Sequence, residues 1–280
     1  MTMKRILLPT DFSDNAFNAI NYALELFKDV ECTFFLLNIY TPPIYQMEYI
    51  MGSPNQLELA DILKEASLTQ LDKLKKKLDQ NFKNPKHQFI VRSAFNTLVN
   101  EIEETIENEN IDYVIMGTKG ATGAKEILFG TNTVHVIKRA KRPVIAIPPN
   151  FSFEAPKEIL FPTDYEIKYP KGKFDPLLQL ANQFKSRINV MHVSTGYELS
   201  PKQVKNRESL QQLLGDKGLF HDLPNNEIIQ AINTFQLREK INLLVMVQNK
   251  HTFFERMFIE PVIKKIGFHI NVPFMVIPHL

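Results

Sequence analysis

The chain of 280 residues is 44% hydrophobic and 23% charged, the balance of a folded protein with one large domain or two small ones. Its 33 basic and 31 acidic side chains leave a formal net charge of +2, too small an excess for a nucleic-acid binder that acts through a basic surface. The single cysteine excludes a disulfide framework, and the sequence shows neither a signal peptide nor an uncharged stretch of about 18 residues. We therefore expect a cytoplasmic protein with no nucleic-acid and no membrane partner.

Short apolar runs alternate with helical patterns along the chain. In the first half the runs predict strands, several of them buried on both faces, near residues 4–8, 32–39, 87–92, 111–116 and 143–147. The patterns between these runs predict helices near residues 14–28, 56–80 and 97–109. The second half follows the same plan, with strands near residues 158–162, 187–193, 218–221, 241–247 and 273–277. Strand and helix in alternation are typical of a parallel sheet with helices on both faces.

Three sequence anchors of the first half return in the second half in the same order. The matching pairs are 4–12 with 157–165, 111–116 with 241–246, and 142–148 with 272–278. This repeat predicts two tandem Rossmann-like α/β domains, 1–149 and 150–280, each with a five-stranded parallel sheet. A proline-rich segment at residues 148–156, the seam, joins them, and we expect it to be extended because prolines cannot continue a helix. Two such domains can pack as an intramolecular pseudo-dimer, and we also expect two chains to pair as a homodimer.

Four of the ten glycines lie within residues 117–130, directly after the predicted fourth strand. Ligands of open α/β sheets bind beyond the carboxyl ends of strands, and glycine lets the main chain approach a bulky anion. Gly130 and Thr131 open a predicted helix, whose free N–H groups favour phosphate. The hydroxyls of Thr131 and Thr133 and the cation of Lys119 fit the same ligand. Alternatively, the glycines only end a strand and cap a helix.

The spacing Gly117-x2-Gly120-x9-Gly130-Thr131 resembles the ATP-binding signature of the universal stress protein family. The Pro9-Thr10-Asp11 turn and the last strand, Pro143-Val-Ile-Ala-Ile147, match the same family, and the resemblance covers the chain as a tandem of two such domains. It implies ATP or a related adenine nucleotide, with or without Mg²⁺, bound in the N-terminal domain without a Walker loop. It also implies a regulatory role in a stress response, in which nucleotide occupancy biases a conformation or an interface.

The resemblance assigns roles to individual positions of this sequence. Pro9, Thr10 and Asp11 border the adenosine, and Ile39 lies beside the adenine. Met116 and Gly117 lie near the base and the ribose. The residues that it places at the phosphates are Lys119, Gly120, Gly130, Thr131, Asn132 and Thr133.

The second half lacks the glycine pattern. An ungapped alignment replaces Gly117, Gly120 and Gly130 with Val247, Lys250 and Glu260. Glu260 would bring a negative charge to the phosphates, and Pro261 lacks an N–H donor. We therefore expect nucleotide binding in the N-terminal domain alone.

Asp11 has two interpretations, because the second half also has an aspartate, Asp164, at the matching position. If no nucleotide binds there, the shared aspartate only caps the helix that follows it. The other interpretation keeps Asp11 as a nucleotide contact.

Two rival functions remain open at the level of sequence. One is a slow ATP hydrolase or phosphotransferase in which Asp11 holds Mg²⁺, and the other is an interaction module that binds no nucleotide. Beyond Lys119, no set of residues offers the base and the charge clamps that phosphoryl transfer needs, so we assign no catalytic residue. The seven histidines show no metal-ligand spacing, so we also assign no resident metal site.

Overall fold

The computed structural model describes residues 3–40, 56–118, 130–194, 198–224, 227–248 and 271–278. In the first half the strands are β1 (Lys4–Pro9), β2 (Cys32–Ile39), β3 (His87–Ala94), β4 (Tyr113–Gly117) and β5 (Val144–Ile147). The helices of this half are α1 (Asp14–Leu26), α2 (Gln56–Asn81), α3 (Leu98–Asn108) and α4 (Thr131–Arg139).

The second half repeats this alternation. Its strands are β6 (Glu158–Pro162), β7 (Arg187–Ser194), β8 (Gly218–Pro224), β9 (Leu243–Val247) and β10 (Phe274–Ile277). Its helices are α5 (Lys171–Phe184), α6 (Pro201–Leu214) and α7 (Ile228–Arg238). Within the described part of the chain, no helix has both the length and the apolar composition needed to cross a membrane.

The ten strands form one sheet in the order β3-β2-β1-β4-β5-β10-β9-β6-β7-β8. Strands are parallel to their neighbours within each half, whereas β5 and β10 pair antiparallel at the centre. Helices α1, α2, α5 and α6 contribute to the apolar cluster on one face, and α3, α4 and α7 to that on the other. The predicted fold class is therefore confirmed: each half is a five-stranded parallel sheet with helices on both faces.

The continuous apolar runs of the sequence become the central strands, as predicted. Every residue of β4 and β5 is buried, because helices cover both faces of these strands. Strand β3 lies at the outer edge of the sheet, and Phe89 is its one fully buried residue. The Cys32 thiol at the start of β2 is buried, and the loss of hydration raises its pKa to about 12, so that the thiol stays protonated and unreactive.

Strands β4 and β9 begin two residues later than the sequence predicts. The helices before them end in a left-handed turn, with φ of 47° at Asn110 and 48° at Lys240. The next N–H groups therefore turn back toward the helix: Ile111 donates to the Ile106 carbonyl at 3.2 Å, and Ile241 makes the matching bond at 3.1 Å. These residues close the helices and are not part of the strands.

The seam between the halves lies against α1. The side-chain amide of Asn18 donates to the carbonyls of Pro148 and Phe151, at 3.3 and 3.2 Å. The ring of Tyr22 contacts the rings of Phe151 and Phe153, with centroids 6.1 and 5.2 Å apart. Helix α1 of the first half therefore fixes the chain segment that leads into the second half.

The central β5–β10 pairing generates a stability prediction. Phe274 of β10 is fully buried and lies opposite Ala146 of β5. We expect Phe274→Ala to lower the free energy of unfolding by about 3–5 kcal/mol, because it leaves a cavity where the two halves join. As a control, Leu237→Ala, at a side chain that is 79% exposed, should change it by less than about 0.5 kcal/mol. Urea denaturation measures both variants, and a Phe274→Ala effect as small as the control would contradict the assignment.

Candidate functional site: the carboxyl edge between β1 and β4

Strands β1 and β4 pair directly, with Ile6 opposite Tyr113 and Leu7 opposite Val114. The chain continues from β1 to β2 on one side of this pair, and from β4 to β5 on the other. Connections that leave in opposite directions open a crevice at the carboxyl ends of the two strands, which is where open α/β sheets bind ligands.

The turn after β1 is held by its own polar side chains. Thr10 is buried, and its N–H donates to the Leu37 carbonyl at 2.8 Å, so that it continues the ladder with β2. Its hydroxyl accepts the N–H of Phe12 at 3.0 Å, and Phe12 has φ of 62°. A bulky residue rarely adopts this left-handed conformation, so the surrounding contacts hold the turn in one shape.

Asp11 is exposed at the tip of this turn and supports the start of α1. Its carboxylate accepts the N–H of Ser13 at 3.1 Å and the Ser13 hydroxyl at 2.6 Å. The cap residue itself is Ser13, whose oxygen accepts the N–H of Ala16 at 3.2 Å. The N-cap of α1 is therefore Ser13 and not Asp11, and the Asp11 carboxylate supports this cap through its two bonds to Ser13.

Gly117 ends β4 beneath the first turn of α1. The Asn15 side chain donates to the Ile147 carbonyl at 3.3 Å and packs over Gly117. A Cβ at position 117 would lie 2.7 Å from the Asn15 Cγ and closer still to its Oδ1. Position 117 therefore requires glycine because the Asn15 side chain lies so close to it, a reason that the sequence patterns did not indicate.

Helix α4 begins beside the carboxyl end of β4. The N–H of Gly130, its cap residue, donates to the Thr118 carbonyl at 2.7 Å. The buried Thr133 hydroxyl donates to the Gly117 carbonyl at 3.0 Å. These two bonds fix the helix start against the end of β4. The first-turn N–H groups, which include those of the exposed Thr131 and Asn132, have no acceptor within the helix itself and carry its positive dipole end.

Comparison with known proteins gives the family of this chain. A model described as the universal stress protein family matches residues 2–148, more than half of the sequence. The chain belongs to the universal stress protein family. Two universal stress proteins of Methanocaldococcus jannaschii are each 29% identical to it, over 147 and 157 residues; each match covers 51% of this chain, and they cover 81% and 94% of the relatives.

A solved structure extends the likeness in fold to the whole chain. The crystal structure of a universal stress protein from Archaeoglobus fulgidus has a TM-score of 0.70 and 20% identity, and the match covers 99% of this chain and 98% of that one. The likeness in fold to that structure therefore includes the second half of this universal stress protein as well as the first.

The predicted site residues of this universal stress protein divide into three groups. Pro9, Thr10, Asp11, Gly117, Gly130, Thr131, Asn132 and Thr133 come together at the ends of β1 and β4 and the start of α4. Ile39 is half-buried at the end of β2, and Met116 is buried within β4. Lys119 and Gly120 lie outside the described residues.

The second half has the same Thr-Asp turn, but the elements beside this turn differ from those of the first half. The Thr163 hydroxyl accepts the N–H of Tyr165 at 3.1 Å, and the Asp164 carboxylate accepts the N–H of Glu166 at 3.1 Å. Tyr165 has φ of 57°, close to the value at Phe12. The Thr-Asp turn is thus a structural feature of both halves and does not by itself mark a nucleotide site.

What differs in the second half is the helix that follows the turn. Helix α5 begins at Lys171, seven residues after Asp164, whereas α1 begins three residues after Asp11. The first helical turn, which carries Asn15 over Gly117, has no counterpart, and a buried Val247 stands at the end of β9. Lys250, Glu260 and Pro261 lie outside the described residues.

The contact between Asn15 and Gly117 can be tested with a double-mutant cycle. Gly117→Ala forces Asn15 away from the Ile147 carbonyl and should cost about 1–3 kcal/mol of folding free energy. Asn15→Ala should cost about 1 kcal/mol through the lost hydrogen bond. In the double variant the added methyl group no longer meets the amide, so the combined loss should fall short of the sum by at least about 0.5 kcal/mol. Additive losses in urea denaturation would refute the direct contact.

Proposed function

We propose that this universal stress protein binds ATP or a related adenine nucleotide at the carboxyl edge between β1 and β4. The observation that carries the proposal is the meeting of three elements at one point: the Thr10-Asp11 turn, the side-chain-free end of β4 at Gly117, and the start of α4 at Gly130. An adenine nucleotide combines a flat apolar base with phosphates, and open α/β sheets bind such ligands at the ends of diverging strands, here beside a helix N-terminus.

In this proposal the phosphates bind at the first turn of α4. The N–H groups of Thr131 and Asn132 and the Thr131 hydroxyl donate to them, and Lys119 contributes a positive charge. Thr133 acts by anchoring the helix start, because its hydroxyl already bonds to the Gly117 carbonyl. The adenosine lies along Thr10, Asp11 and Ile39.

The proposed role is regulatory binding and not catalysis. Micromolar affinity corresponds to about 8 kcal/mol, which several charge-assisted hydrogen bonds and burial of the base can supply. The Asp11 carboxylate, the candidate Mg²⁺ ligand of the rival hydrolase, already accepts two hydrogen bonds from Ser13. Within the described ranges, no cluster of three or more histidine, cysteine or acidic side chains could hold a metal ion.

A route for regulation lies along α1. Asn15 in its first turn packs on Gly117 at the proposed site, and Asn18 in its next turn holds the seam at Pro148 and Phe151. A nucleotide that shifts the start of α1 therefore acts on the segment that joins the halves. We propose that occupancy biases the interface of the two halves and thereby the binding of a partner in a stress response.

The proposed homodimer has to use a surface other than β5. In this chain β5 already pairs with β10, so the central strands are satisfied within one molecule. Among the described strands, β3 and β8 are the outer ones and offer unpaired main-chain groups.

The proposal predicts that a negative charge at the start of α4 weakens ATP binding by about a hundredfold. In Gly130→Glu the carboxylate lies near the phosphates, where a like charge about 6 Å away at an effective dielectric of about 20 costs about 2.8 kcal/mol, or about a hundredfold in Kd. Isothermal titration calorimetry with ATP measures this loss.

The matched control places the same charge at the start of a helix in the other half. Gly172 lies in the first turn of α5, and a Cβ added there meets nothing within 4 Å. Gly172→Glu should keep the ATP affinity within about twofold, since the charge is remote and screened. Wild-type affinity in a folded Gly130→Glu protein, or an equal loss in both variants, would contradict the proposed site.

A further inference from the structure

A buried line of hydrogen bonds runs beneath α2 to the turn after β1. The Ser93 hydroxyl donates to the Ser67 hydroxyl at 2.7 Å, and Ser67 donates to the Asn38 Oδ1 at 2.7 Å. The Asn38 Nδ2 then donates to the Thr10 carbonyl at 2.8 Å. This polar line, Ser93–Ser67–Asn38–Thr10, connects the outer strand β3, helix α2 and strand β2 to the proposed nucleotide site.

The members of the polar line fix one another. Ser67 and Asn38 are 4% and 9% exposed, so water cannot readily replace a lost partner. Ser67 both accepts and donates within the line, and Asn38 uses its oxygen toward Ser67 and its nitrogen toward Thr10. Because a buried polar group without a partner is destabilising, the side-chain amide of Asn38 is held in one orientation.

That orientation sets the peptide plane between Thr10 and Asp11. In a trans peptide the carbonyl and the following N–H point in opposite directions. Since the Thr10 carbonyl faces Asn38, the Asp11 N–H faces away from it. Asn38 therefore determines how the tip of the turn is presented at the edge, although it is not itself one of the predicted nucleotide contacts.

The second half carries a histidine and an aspartate at the matching positions. Leu37 lies opposite Pro9 and Met191 opposite Pro162, so the next residue, His192, matches Asn38. Its partner on the outer strand is Asp222, where β3 has Ser93. The His192 Nδ1 lies 3.3 Å from the Asp222 carboxylate.

The turn of the second half is held from a different direction. Helix α6 supplies Gln203, which donates to the Asp164 carbonyl at 2.9 Å, and Asn206, which donates to the Tyr165 carbonyl at 2.8 Å. These bonds fix the two peptide planes that follow the one held by Asn38 in the first half. Both halves thus stabilise the turn, but among the described residues only the first half has a strand side chain that orients the peptide after its threonine.

We infer that Asn38, held by Ser67 and Ser93, is a positioning residue for nucleotide binding in the first half. This inference rests on the proposed function and adds to it a set of residues that act on the ligand through the Thr10–Asp11 peptide. Asn38→Leu keeps the volume of the side chain but removes the bond to the Thr10 carbonyl. The ATP Kd of this variant rises about tenfold, the effect of about one lost hydrogen bond at the ligand. Ser67→Ala, which frees the Asn38 amide without removing it, raises the Kd about threefold.

Asn206→Leu is the matched control, because it removes a buried amide that holds the equivalent turn of the second half. Asn38→Leu and Asn206→Leu should lower the urea midpoint to a similar extent, whereas Asn38→Leu alone weakens ATP binding in calorimetry. A wild-type Kd in folded Asn38→Leu and Ser67→Ala, or an equal loss of affinity in Asn206→Leu, overturns the inference and leaves the proposed function standing. Absence of ATP binding by the wild-type chain overturns both. If Asn38→Leu does not fold, Ser67→Ala decides the question.

Discussion

The antiparallel pairing of β5 with β10 joins the two halves of the chain into one ten-stranded sheet. Each half is a parallel sheet that would otherwise end in a short, fully buried apolar strand with unpaired main-chain groups. The pairs Phe274–Ala146, Met275–Ile145 and Val276–Val144 join these two strands into one continuous sheet. Because strand direction reverses there, the carboxyl ends of the strands in one half point opposite to those in the other half. The regions beyond these carboxyl ends are therefore separate, one for each half.

This arrangement lets the two halves diverge at their edges while they share a core. The first half keeps a helix that begins close to the turn, so that Asn15 packs over Gly117 at the end of β4. In the second half the helix begins later, Val247 closes the end of β9, and His192 and Asp222 replace neutral polar residues. A common turn thus supports a proposed nucleotide site in the first half and a different, partly charged edge in the second.

Sequence patterns predicted the strands and the fold class because burial on both faces requires continuous apolar runs. They did not predict the later start of β4. The left-handed turn at Asn110 is closed by a main-chain hydrogen bond from Ile111, and the apolar side chain of Ile111 is equally typical of a strand. Asn15 and Asn38 were missed for a related reason. Each is a polar residue in an ordinary helical or strand position, and its role depends on a partner more than 25 residues away, Ile147 for Asn15 and Thr10 for Asn38. The repeat did carry a signal for both residues, because the two halves differ at these positions. The second half has Lys168 at the position of Asn15 and His192 at the position of Asn38.

We propose that the first half of this universal stress protein binds an adenine nucleotide and that the second half does not. The stoichiometry of ATP binding to the intact chain, measured by isothermal titration calorimetry at protein concentrations well above the Kd, tests this proposal. We expect saturation at one nucleotide per chain. Saturation at two nucleotides would contradict the loss of the site in the second half, and a titration without binding would contradict the proposed function.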